Sequence, residues 1–201
     1  MSQVGYSRAG EIGVITVDNP PVNALGQAVR EGLLKRVREA DADASAKAVV
    51  ILCAGRTFIA GADIKEFDGP MGPPGMEDVF SAIEAAGKPF VAAIHGTALG
   101  AGVELVLACH YRCAVVGAKL GLPELTLGII PGAGGTQRLP RLIGAAKALR
   151  FIIDARPVAA ADAAKLGIVD RVIEGDLQAG AVAWAAELVR SGAALRVTSR
   201  Q

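Results

Sequence analysis

The chain has 201 residues, with 21 Lys plus Arg against 20 Asp plus Glu and a formal charge of +1. That balance argues against the basic face of a nucleic-acid binder, and the length suits one domain that buries most of its apolar surface. Hydrophobic residues make up 52%, yet the richest apolar stretch, Ala98 to Cys109, is too short to span a bilayer and is broken by Glu104, so no membrane partner is expected.

Ile12–Val17 is rich in β-branched residues and reads as a strand, closed by the turn Asp18-Asn19-Pro20-Pro21. From Gln27 to about Ala42 an apolar stripe of Leu33, Val37 and Ala40 predicts a helix. Ala48–Cys53 is a continuous apolar run of strand length, expected to be buried on both faces. A loop over 54–63 follows, and the Gly- and Pro-rich segment 69–75 predicts a mobile surface insertion within one domain. Phe90–Ile94 is expected to be a short buried strand, 100–109 an apolar helix and 112–116 a strand. The stretch 122–135 is loop-rich, 145–154 and 159–166 read as helices, 169–173 as a strand and 177–190 as a last helix. Gly167 is the expected stop of the helix before it. Strands alternating with helices predict an α/β fold.

Cys53, Cys109 and Cys113 are an odd number and suit a reducing compartment rather than a disulfide framework. Cys109, His110 and Cys113 lie close in sequence, but a structural zinc site needs four ligands, and buried packing is the expected role. No metal is expected. The absence of a basic start followed by an apolar core and a small-residue cleavage site argues against export. The expected location is the cytoplasm, or a peroxisome or mitochondrion in a eukaryote.

Two carboxylates stand in apolar settings. Glu104 lies inside Leu99-Gly100-Ala101-Gly102-Val103-Glu104-Leu105-Val106-Leu107, where an ionised group must be paired, protonated or facing a cavity. Glu124 follows Pro123 among aliphatic residues and, alone, reads first as an ordinary surface loop carboxylate. Together they could serve as a general acid and base, one of them holding a proton near neutrality. Twenty positions separate them, which neither helix nor strand periodicity turns into proximity. The segment Pro131-Gly132-Ala133-Gly134-Gly135-Thr136 lacks the Gly-Lys-Ser/Thr ending of a phosphate loop. Gln137 and Leu105 stand where a dinucleotide fingerprint requires its third glycine, so neither ATP nor NAD is expected.

Phe58-Ile59-Ala60-Gly61-Ala62-Asp63-Ile64-Lys65 resembles the first signature loop of the crotonase, or enoyl-CoA hydratase/isomerase, superfamily. His95-Gly96-Thr97-Ala98-Leu99-Gly100-Ala101-Gly102-Val103-Glu104-Leu105 is similar to its second, and the run from Leu120 to Leu139 to its third. With Asp18-Asn19-Pro20-Pro21-Val22-Asn23-Ala24-Leu25 these motifs cover most of the chain. The stretch Cys109-His110-Tyr111-Arg112, with Gly121 to Gly128, looks most like the hydratase domain of multifunctional β-oxidation enzymes.

The resemblance implies a spiral of ββα units and a cleft for coenzyme A thioesters, coenzyme A being part of the substrate and no separate cofactor being needed. It implies Glu104 and Glu124 as catalytic residues, the backbone N–H groups of Ala60 and Ala101 as an oxyanion hole, and Ala62, Asp63, Ile64 and Gly100 as substrate contacts. Ala101 stands where the family usually has Gly. Asp63 serves either the loop around the adenine or plain loop capping; His95 reads as packing, and Arg138 and Arg141 as ion-pair or subunit residues. Water would add across the double bond of a 2-trans-enoyl-CoA, and a proton shuttled by Glu124 between Cα and Cγ would isomerise 3-enoyl-CoA. Family members that stand alone continue into a further helical C-terminal segment. Residues 1–201 are therefore expected to be a single domain, an N-terminal portion of a longer enzyme, with either a trimer-type homo-oligomer or a fused 3-hydroxyacyl-CoA dehydrogenase domain as partner. The competing expectations are another crotonase-type isomerase or dehydratase, and a non-catalytic acyl-CoA-binding domain.

Overall fold

A computed structural model describes residues 3–66, 69 and 72–198. Strands β1 (Val4–Ala9) and β2 (Ile12–Val17) form an antiparallel hairpin that turns on Gly10, at φ +64°. Helix α1 (Gln27–Ala42) then crosses to β3 (Ala48–Cys53), which pairs parallel with β2. Helix α2 (Met76–Glu84) leads to β4 (Phe90–Ile94), and α3 (Ala101–Ala108) leads to β6 (Tyr111–Val115). With β9 (Arg171–Ile173) these make a six-stranded sheet, β1-β2-β3-β4-β6-β9, parallel from β2 onward.

A second sheet is assembled from very short pieces: β5 (Thr97–Leu99), β7 (Lys119–Gly121) and β8 (Val158–Ala159), with a bridge from Ile59 to Ala98. Gly96, at φ +56°, carries the chain from β4 into β5. A Cβ there would collide with the carbonyl of Arg56, so glycine alone fits. One long strand, one short strand and one helix thus recur in β4-β5-α3, and the chain repeats the long–short step in β6-β7. That is the expected α/β spiral of ββα units.

At β3 and β4 the large sheet is buried on both faces, as the apolar run of β3 requires. Val49, Ile51 and Cys53 pack toward α1, α2 and α3, whereas Ala48, Val50 and Leu52 face α7 (Leu177–Arg190). Asp176 starts α7 by accepting the N–H of Ala179 at 2.7 Å. Trp184 on α7 meets Tyr111 of β6 edge-on at 5.9 Å, with the Arg171 guanidinium 5.1 Å from its ring. Trp184→Ala is expected to destabilise the domain by about 3–5 kcal/mol. Urea unfolding would read this as a lower midpoint, while KM for a thioester stays unchanged because α7 lies on the face away from the helices that build the cleft.

The strands and helices expected at 12–17, 27–42, 48–53, 90–94 and 177–190 keep those bounds. Helix α5 (Ala145–Asp154) also keeps its bounds. Others shift by one or two residues, as does α6, Ala160–Leu166, which Gly167 ends at φ +91°. Two helices were not expected. Met76–Glu84 begins directly after a Pro- and Gly-rich run, and α4 (Gly135–Ile143) contains Pro140 and opens in glycines. Propensity discourages a helix in α4, where burial of Leu139 and Ile143 overrides it, and α2 is obscured only by the Gly and Pro before it, its buried side being Val79, Phe80 and Ile83. Pro70 and Met71 of the expected mobile insertion lie outside the described residues. Gly72, Pro73 and Pro74 are held by side chains of α1: Arg30 donates to the carbonyls of Gly72 and Pro74, and Gln27 to that of Pro73.

Candidate active site

The register of the small sheet brings the two glutamates together. Leu99 at the end of β5 pairs with Gly121 at the end of β7, and the N–H of Gly100 donates to Gly121 O at 3.0 Å. From that shared edge the first strand enters α3, with Glu104 in its first turn. The second enters a short 3-10 turn, Glu124–Leu127. Both carboxylates line one cleft of about 590 Å³, with Ala62, Gly100, Ala101 and Ala133, and with Met76, Leu127, Ile129 and Ile130 as apolar wall.

Glu104 is 2% exposed and Glu124 8%. The N-terminus of α4 closes on the first of them: Ala133 and Gly135 donate N–H bonds to Glu104 Oε1, each at 2.8 Å. Its Oε2 takes no hydrogen bond among the described residues. Burial pushes the Glu104 carboxyl upward, while the two N–H groups and the Arg138 cation pull it down and the Glu77 charge adds to the rise. Glu124 differs in having few donors: its Oε2 is buried with no partner among the described residues. Burial raises its pKa to about 7, with its own backbone N–H opposing and the charge of Glu104 reinforcing the shift. Glu104 thus has two N–H donors on one oxygen, and Glu124, with no donor on its Oε2, is poised to hold a proton.

The oxyanion donors require a correction. Ala60 N–H already donates to Val22 O at 3.1 Å and is not directed at a ligand. Val22 is held in place by Asn23, a buried residue at φ +53° whose Nδ2 donates to the carbonyls of Ala54 and Thr57 at 2.8 and 2.9 Å. One residue beyond Ala60, Gly61 O accepts the N–H of Leu25 at 2.9 Å. A trans peptide points its C=O and N–H in opposite directions, so the N–H of Ala62 is turned away from Leu25. Among the described residues it has no acceptor. Ala101 N–H is the first of α3 and likewise has no intrahelical partner. Ala62 and Ala101, which both line the cleft, therefore each bring to it an N–H group with no acceptor among the described residues. The alternation that separates Ala60 from Ala62 is a property of peptide orientation, which residue types do not encode.

Ala101 is accommodated without strain, since its φ is not positive; the unusual angle falls on Gly100, at φ +52° and ψ −123°. Gly100 and Ile64 line the cleft as expected, Ile64 with its side chain exposed at the mouth. Asp63 is not part of the lining; its Oδ1 accepts the N–H of Lys65 at 3.1 Å, an ordinary loop cap. His95 bonds Gly55 O through Nε2 at 3.1 Å, and Arg141 donates to Gln137 O within its own helix at 2.7 Å. Arg138 pairs with Glu84 across α2 and α4.

The three cysteines are buried, and burial pushes the thiols of Cys109 and Cys113 up to about 12. His110 accepts the N–H of Phe90 on Nδ1, and burial lowers its pKa to about 4, keeping the ring neutral. Among the described residues no three His, Cys, Asp or Glu side chains gather in a way that could hold a metal ion. A larger hollow, about 880 Å³, lies against α5 and α6. Its one carboxylate, Asp154, is paired with Arg150 at 3.1 Å, and it presents no acid–base pair. Among the described residues no helix is long and apolar enough to cross a membrane.

The sequence profile named enoyl-CoA hydratase/isomerase matches residues 7–200. A peroxisomal bifunctional enzyme of Danio rerio is 55% identical over 163 residues, which cover 81% of this chain and 23% of that protein. A probable enoyl-CoA hydratase of Bacillus subtilis is 47% identical over 165 residues, covering 79% of this chain and 64% of its own length. The chain thus spans less than two thirds of either relative. The crystal structure of an enoyl-CoA hydratase from Bacillus anthracis superposes with a TM-score of 0.86 at 36% identity, over 94% of this chain and 77% of that one. The chain belongs to the enoyl-CoA hydratase/isomerase family.

Proposed function

We propose that this domain adds water reversibly across the double bond of a 2-trans-enoyl-CoA in fatty-acid β-oxidation. The observation that carries the reading is the meeting of Glu104 and Glu124 with the free N–H groups of Ala62 and Ala101 in one largely apolar cleft. The thioester oxygen sits between the two N–H groups, and the negative charge that develops on it in the enolate is stabilised there. One such donor is worth roughly 3 kcal/mol of barrier. Glu104, tied through Oε1, uses Oε2 to orient and deprotonate the water that attacks Cβ. Glu124 gives its proton to Cα, and in dehydration the roles exchange. The addition is redox-neutral and both protons are carried by glutamates, so coenzyme A enters as part of the substrate and no separate cofactor is invoked.

The unpartnered Oε2 of Glu124 supports a second activity of the same site. A carboxylate free to reach both Cα and Cγ would move a proton from one to the other and convert 3-enoyl- to 2-enoyl-CoA. The relative named bifunctional, of which this chain covers 23%, supports a fused 3-hydroxyacyl-CoA dehydrogenase domain in the whole protein, with a trimer-type homo-oligomer as the alternative assembly. Its being named peroxisomal supports that location if the source is a eukaryote.

The test is the loss of enoyl absorbance when the protein meets crotonyl-CoA. Rapid loss supports the hydratase reading; tight binding without turnover would replace it with that of an acyl-CoA-binding domain. The pH dependence has a definite sign. Hydration needs Glu124 protonated and Glu104 ionised, so kcat/KM is expected to fall about tenfold per pH unit above about 7, as Glu124 loses its proton. The dehydrating form carries the same single proton on the other glutamate. It is a tautomer of the hydrating form, so kcat/KM in the reverse direction should follow the same curve. Opposite pH trends in the two directions would rule out a shared proton.

A further inference from the structure

Ala133, Gly134 and Gly135 form an arch that grips Glu104 Oε1, yet the arch has almost no side chains by which to be held. Arg138 holds it. Its Nη1 donates to Ala133 O at 2.9 Å, and the guanidinium occupies the space that a Cβ on Gly134 would need. From the far side, Nε and Nη2 donate to the two carboxylate oxygens of Glu84, each at 3.0 Å. Nη2 also lies 3.4 Å from Glu77, and the group stands 5.8 Å from the centre of the Phe80 ring. Arg138 and Glu84 are both buried. A buried ion pair gains little over apolar side chains of the same size, so packing alone does not account for this one.

We propose that Arg138, clamped by Glu84, is a positioning residue for Glu104: it fixes the arch that ties down Oε1, presents Oε2 to the water, and sets a cation beside the carboxylate. The inference rests on the reading of Glu104 as the base. The charged groups facing Glu104 are Arg138 from α4, Glu77 from α2 with Glu84 beyond the guanidinium, and Glu124 from the short turn; α3 carries no other charged side chain. Arg138 is the only cation in that set.

The experiment is crotonyl-CoA hydration across pH by the whole domain and three variants, with circular dichroism to count folded protein. Arg138→Lys keeps the cation and loses the fork. The pair Glu84→Gln with Arg138→Gln removes both charges and leaves neither buried alone. The neutral pair is expected to lose about 10²-fold in kcat at a KM within about twofold, as misplacement of a catalytic group does. Its acid limb of kcat/KM should move to higher pH, because Glu104 loses its cation. Arg138→Lys should lose kcat and keep the wild-type acid limb. Wild-type kcat and acid limb per folded molecule in the neutral pair would overturn the proposal. So would an acid limb displaced as far in Arg138→Lys as in the neutral pair. Glu104→Gln is the reference: wild-type turnover there would instead sink the reading of Glu104 as base.

Discussion

Glu104→Gln is expected to lower kcat for hydration by about 10²–10⁴-fold, the usual worth of a positioned general base. Glutamine keeps the volume of the side chain, and its one carbonyl oxygen can still accept the N–H groups of Ala133 and Gly135 that Oε1 accepts now. What changes is the atom presented to the cleft. An amide NH₂ donates where Oε2 would accept, so the water is neither aimed nor deprotonated. Glu124→Gln should cost a comparable factor for the complementary reason, since an amide has no proton of suitable acidity to give to Cα. Neither residue grips the coenzyme, so KM should move little. Because the two act in one step, the double variant should lose far less than the product of the single losses. With a 3-enoyl substrate the pattern should split, with Glu124→Gln abolishing isomerisation and Glu104→Gln sparing most of it. Absorbance assays on both substrates read all of this; full rates in both single variants would place the chemistry elsewhere.

How much of this site was legible beforehand depends on which atoms matter. The two glutamates stand out because each is a carboxylate among aliphatic residues, and resemblance to a family paired them. Their proximity was not legible, because it is a matter of register: Leu99 opposite Gly121 sets the starts of α3 and the 3-10 turn side by side, and strands of three residues leave no periodic signal. The long strands and α1 were legible because burial repeats along them, while α2 and α4 were hidden by the glycines and prolines at or near their starts. The oxyanion donors show the hardest limit. Ala60 and Ala62 are the same residue type two positions apart, and only the contact of Ala60 N–H with Val22 O, through a loop far away in sequence, decides between them.

The same contact geometry makes Gly102→Ala a small change with a large expected effect on the oxyanion donors. Gly102 lies in the first turn of α3, and a Cβ there would run into the carbonyl of Ile59, with Ile59 C and Cβ also 3.0 Å away. The obstacle is backbone, which cannot rotate aside, so α3 must lift from the segment that Ile59 belongs to. That segment is fixed by Leu99 N–H donating to Ile59 O at 2.9 Å and by the Ala60–Val22 bond. Ala62 therefore stays and Ala101 moves, and the spacing of the two N–H groups opens. Loss of one oxyanion donor is expected to reduce kcat by about 10²–10³-fold, and the forced overpacking to cost about 1–3 kcal/mol of stability. A ground-state thioester has little charge on its oxygen, so its binding should weaken much less than turnover does. Measuring Kd for a saturated acyl-CoA beside kcat for crotonyl-CoA separates the two. Equal losses in both would mean that Gly102 shapes the pocket as a whole, whereas loss confined to kcat would tie the close approach of α3 to Ile59 to stabilisation of the enolate.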